Sequence, residues 1–215
     1  MKKISLLTLV LNCSFLLVFN SLAVAVEPKE MIGEIFETKV KVEKSVRSGK
    51  WAEADRSITT LIKQMKELVA ALQLNDADKY LKQIDLVAAA MRTAVADKED
   101  EEYEAPAHSM TNVQLKLMEH MNYPSPPVFI VMAWQVGESL ELLEEGNFES
   151  IEEEMEEVVN LRNLAKESAK KAGINPVKVK ALLDLAWDVC MDCDSKNTAS
   201  AQKRLERMKK ILETV

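Results

Sequence analysis

The chain has 215 residues and a formal charge of −7, with 35 acidic against 28 basic side chains. It has no basic cluster to meet a phosphate backbone, which argues against nucleic acid as a partner. Five glycines, six prolines and 5% aromatics supply too few turn and sheet formers for a β-rich fold, so an all-α protein is expected.

Lys2 and Lys3 precede an apolar stretch from Ile4 to Phe19, and Ala23-Val24-Ala25 supplies small residues at the spacing a signal peptidase needs. A secretory signal over 1–25 is the expectation, with a mature chain that is periplasmic or extracellular. An uncleaved anchor over Ile4 to Val26 is the alternative, weakened by Asn12, Ser14, Asn20 and Ser21. Acylation at Cys13 is disfavoured because the apolar stretch continues past it. Beyond the signal, the strongest apolar run is Val128 to Trp134, too short to span a bilayer. No membrane insertion of the mature chain is expected.

Apolar spacing then predicts eight helical segments. The first, about 29–48, carries Ile32, Ile35, Phe36, Val42 and Val46. The second, about 51–73, aligns Trp51, Ala54, Ile58, Leu61, Met65, Leu68 and Leu72. A third runs from about 76 to 97 through Leu81, Ile84, Ala88 and Met91, and a fourth, about 109–122, through Met110, Val113, Leu117 and Met121. Asn122-Tyr123-Pro124-Ser125-Pro126-Pro127 interrupts the pattern and is the expected boundary between units at 26–124 and 125–215. The remaining four segments fall at about 127–145, 148–172, 176–193 and 198–214. Asn175-Pro176 makes a good start for the seventh.

The two halves share landmarks. Gly49-Lys50-Trp51 and Gly146-Asn147-Phe148 each place glycine after a helix, where a left-handed cap is easy, and then an aromatic. The same offset of 97 pairs Ala54 with Ile151, Ile58 with Met155, Leu61 with Val158 and Ile62 with Val159, and Leu74-Asn75 parallels Ile174-Asn175. Two tandem four-helix up-down bundle units are the expected architecture.

Few residues offer chemistry. Cys190 and Cys193 end the seventh segment, where the helix dipole disfavours a thiolate, so a disulfide or a pair of half-buried thiols is expected rather than a redox or zinc site. His108 and His120 are the two histidines. Glu104 and His108 are four apart, but Pro106 lies between them, and no second pair exists to complete a di-iron site. No phosphate loop or serine-nucleophile elbow occurs. The acidic runs over 97–104 and 144–157 lack calcium-loop spacing and read as solvated faces. An enzyme built on carboxylates alone ranks below a binding role, because nothing places two of them together in a pocket.

One segment resembles a known family. Lys116-Leu117-Met118-Glu119-His120-Met121-Asn122-Tyr123, at the end of the fourth segment, is similar to the Cys-x-x-Cys-His-x-x-Tyr signature of cytochromes c′, with Lys116 and Glu119 in place of both cysteines. The order of four helices with a Gly-x-aromatic turn after the first resembles that family's bundle. The resemblance implies His120 and Tyr123 as candidate haem-binding residues, while the missing cysteines exclude covalent attachment. In the second half Met208 stands where His120 would be.

Two functional readings follow. The preferred one is a non-catalytic exported bundle, a haem-free relative of cytochrome c′, that binds a protein partner or small ligand and carries no cofactor; a homodimer stays open. The alternative is non-covalent haem on His120, with methionine or water opposite.

Overall fold

A computed structural model of the chain describes residues 27–215, so the expected export signal lies outside the described residues. Among the described residues there are nine α-helices and no strand. They are α1 (Pro28–Arg47), α2 (Trp51–Leu72), α3 (Ala77–Asp97), α4 (Asp100–Met118), α5 (Pro127–Glu145), α6 (Phe148–Asn160), α7 (Arg162–Ala172), α8 (Pro176–Asp194) and α9 (Thr198–Leu212). Proline at the first helical position, where its missing N–H costs nothing, opens α1, α5 and α8. Asn147, Asn175 and Asn197 cap α6, α8 and α9 through their side-chain oxygens.

Two segments differ from the periodic reading. The fourth helix starts nine residues early, at Asp100, and runs through Pro106. Asp100, Glu101 and Glu102 in its first turn complement the positive end of the dipole, and burial of Tyr103, Ala107 and Met110 holds the helix on both sides of the proline. It also ends at Met118, so His120 and Tyr123 lie beyond it. The long sixth segment breaks at Leu161 into α6 and α7.

Helix ends add further parallels between the two halves of the sequence. Gly49 (φ 64°) and Gly146 (φ 72°) are both left-handed, and their joints repeat bond for bond. Gly49 N–H donates to Val46 O and Lys50 N–H to Ser45 O, while Gly146 N–H donates to Leu143 O and Asn147 N–H to Leu142 O. A second pair is Gln73 (φ 50°) and Gly173 (φ 69°), and a third is Lys98 (φ 59°) and Lys196 (φ 52°). Buried positions match too. Ala54 and Ile151, Ile58 and Met155, and Leu61 and Val158 are all buried, while Ile62 and Val159 are half-buried. The offset is 97 at Gly49/Gly146, 100 at Gln73/Gly173 and 98 at Lys98/Lys196, so the spacing between the paired caps differs by two or three residues.

The described chain divides into two compact units, one ending at Asn75 and one spanning Asp76–Val215. In the first, α1 packs on α2 through Ile32, Ile35, Val42, Ile58, Leu61, Met65 and Leu68. Lys39 sits in that stripe and is buried, its ammonium 3.2 Å from Glu43. In the second unit α3 pairs with α4, α5 packs on α6 and α9, and α8 packs on α6, α7 and α9. Short joints make sequential helices antiparallel neighbours. The segment Asn122–Pro127 lies inside this unit and joins α4 to α5. None of the described helices is long and apolar enough to cross a membrane.

Candidate functional site

His120 follows α4 in an exposed turn. Tyr80, near the start of α3 and only 6% exposed, meets it edge-on, with ring centroids 5.8 Å apart. The Tyr80 hydroxyl and His120 Nε2 are 2.9 Å apart, so this pair latches the open end of the α3–α4 hairpin. Burial, then the carboxylates of Asp76 and Glu119, push the Tyr80 hydroxyl above its usual range, so it keeps its proton. Tyr123 is half-buried, and burial raises its hydroxyl as well. Ligation of an iron through His120 Nε2 would displace the Tyr80 hydroxyl.

Cys190 and Cys193 stand as free thiols on α8, both buried. Cys190 Sγ approaches the carbonyl oxygens of Ala186 (3.4 Å) and Glu152 (3.9 Å). Burial, reinforced by Glu152 and Glu156, pushes Cys190 up to about 12; burial with Glu152, Asp192 and Asp194 pushes Cys193 to about 11. A thiol held there is a packing group and a poor nucleophile at neutral pH. Glu152 is itself raised, by burial and then by Asp194, Glu156 and Glu149.

The acidic run over 144–157 departs from a solvated face at two positions. Glu154 and Glu157 are buried, and Glu157 accepts a 2.9 Å hydrogen bond from Thr111 Oγ1, tying α6 to α4. A helix so dense in carboxylates turns some inward whichever face it buries. His108 and Glu104 do share the continuous helix α4, yet no group of three or more metal-binding side chains occurs among the described residues.

A concavity lies elsewhere, along α7 and α8. It is a half-open groove of about 1030 Å³, lined by Val159, Ile174, Val179, Leu183 and Trp187 among its apolar residues. With the sequence set in register by Gln73 and Gly173, the α7 wall carries smaller residues than α2. Met65, Leu68, Val69 and Leu72 of α2 correspond to Ala165, Ser168, Ala169 and Ala172 of α7. Four large apolar residues of α2 thus stand where α7 has three alanines and a serine, and of these four Ala169 lines the groove. Trp187 borders that space and remains 59% exposed, which is unusual for so large an apolar surface.

The groove's two walls differ in charge. On α8, Lys180 pairs with Asp184, while Asp188 lies 3.0 Å from Arg204 of α9. On α7, Arg162, Lys166 and Lys170 face the groove, and no ion pair engages them among the described residues. The sequence carried a signal for this site, namely the loss of large apolar residues after Leu164 in an otherwise periodic helix. The apolar count alone hides it, because alanine keeps the periodicity while giving up the volume. Comparison with known protein families, with characterised proteins and with solved structures finds no match.

Proposed function

We propose that this chain is an exported, non-catalytic helical protein that binds a partner or ligand in the α7–α8 groove. The observation that carries the reading is the groove itself: about 1030 Å³, apolar along its floor, and bordered by an exposed tryptophan. That volume sits at the upper end of ordinary ligand sites, which hold roughly 300–1000 Å³. Its charged residues are arranged to flank an apolar body, and both aspartates are already engaged by cations.

We infer further that the two halves descend from one four-helix unit related to cytochrome c′ and now free of haem. The paired caps at Gly49/Gly146, Gln73/Gly173 and Lys98/Lys196 support duplication of a shared plan. Lys116 and Glu119 in place of cysteines, and the Tyr80 hydroxyl on His120 Nε2, favour the haem-free reading over the haem-ligating one.

An anilinonaphthalene sulfonate titration tests the groove. One dye is expected per chain with native circular dichroism unchanged, together with energy transfer from tryptophan that falls sharply in Trp187→Phe. Absence of dye binding, or transfer unaffected by Trp187→Phe, refutes the assignment.

A further inference from the structure

We propose that the occupant of the α7–α8 groove is an acidic amphipathic helix of a partner protein, an inference that rests on reading the groove as a binding site. Three observations on the second unit converge on it. First, Arg162, Lys166 and Lys170 are spaced i, i+4, i+8, so they form one ridge along a single face of α7, about 12 Å long at the helical rise. Four of the eleven α7 residues are basic against one acid, Glu167, in a chain whose net charge is −7. The ridge is thus a local reversal of the protein's field. Its charges are uncompensated by the groove's other wall, where Lys180–Asp184 and Asp188–Arg204 are already paired.

Second, the groove is long enough for a helix: its lining runs from Arg162 to Lys170 on α7 and from Val179 to Asp188 on α8, about 12–14 Å at the helical rise, which is two to three turns of a guest. Third, the apolar residues follow the same direction as the cations. Val179, Leu183 and Trp187 recur every four residues along α8, giving the apolar face of a guest helix a stripe to lie on.

Carboxylates at four-residue spacing on the guest's flank would then meet the α7 ridge while its leucine-type face covers Leu183 and Trp187. A single-headed lipid would satisfy one of the three cations and leave the others along its tail. The repeat of the charge, more than its sign, selects a helix.

Selection from a displayed library tests this on the purified protein. The library holds amphipathic helices of about five turns, with leucines fixed on one face and the flanking polar positions randomised. Winners are expected to carry glutamate or aspartate at four-residue spacing on one flank, and to alter Trp187 fluorescence. Arg162→Glu/Lys166→Glu/Lys170→Glu changes only exposed side chains, and should weaken the winning peptide about tenfold or more. A peptide with those acids changed to lysine should regain affinity for that variant. Winners without acidic spacing, or affinity indifferent to the charge reversal, overturn the proposal. Palmitate binding at Trp187 with no enriched peptide would overturn the helical occupant and leave the groove a binding site. If neither peptide, palmitate nor dye reaches Trp187, both readings fall.

Discussion

Ala169→Leu asks whether the α7–α8 groove is open space in the folded protein. Ala169 lines the groove although it is itself buried at 3% exposure, and it stands at the register position of Val69 in the first half. Leucine adds three carbons. If they extend over Val179 and Leu183 they are removed from water, at about 0.8 kcal/mol each, or about 2.4 kcal/mol together. Ordering the side chain returns about 0.5–1 kcal/mol of that. The net expectation is a gain of about 1.5 kcal/mol, or an increase in melting temperature of roughly 3–6 °C for a chain of this size. If the site were closed, the same carbons would overpack it, at a cost of about 1–3 kcal/mol. Urea unfolding followed by Trp187 fluorescence separates the two cases by sign, with an unchanged slope showing that the unfolding reaction is the same. Dye binding should weaken in the same variant, since the added carbons take up part of the site. A destabilised Ala169→Leu would refute the open groove.

The thiols give a pH dependence whose sign is set. Both are raised from an ordinary 9.0 to about 12 and about 11, so the unfolded chain loses these protons first, and stability present below pH 9 declines as pH rises towards those values. The alkaline loss should be smaller in Cys190→Ala/Cys193→Val; equal pH profiles in urea would contradict the burial argument. At pH 8, iodoacetamide should alkylate folded Cys190 about a thousandfold more slowly than an ordinary thiol, and rapid labelling at native circular dichroism would count against it. Lys98 and Lys196 occupy left-handed backbone, so Lys98→Gly and Lys196→Gly should each stabilise by about 0.5–1 kcal/mol, the strain relieved exceeding glycine's added entropy. A loss in thermal melts would disprove this. Gln135 is fully buried, and neither polar atom of its amide has a hydrogen-bond partner, so Gln135→Met should stabilise by about 1 kcal/mol. Destabilisation would mean that the amide is satisfied in solution.

Periodicity placed eight helical segments where nine helices stand, because an apolar stripe repeating every three to four residues must be buried whatever packs on it. The joints at Gly49 and Gly146 were equally legible, since glycine is the residue that adopts a left-handed cap without strain. Gln73, Lys98 and Lys196 adopt the same conformation with no compositional mark, which hid half of the repeated caps. The start of α4 escaped because Pro106 breaks an isolated helix, whereas the buried residues around it hold this one. His120 and Tyr123 were singled out by resemblance, but only the approach of α3 revealed that Tyr80 holds His120.

What the linear chain determined by itself was local: helical content, the two repeated glycine joints, the overall acidity and the scarcity of reactive side chains. These depend on backbone preference and on neighbours within a turn or two. The groove was decided by tertiary structure. Ala169 is a good helix residue wherever it stands, and it lines a groove only where α7 and α8 pack together in the folded unit. Volume left unfilled between helices is a property of the packed pair, and Arg162, Lys166 and Lys170 become a charged wall only once that space exists beside them.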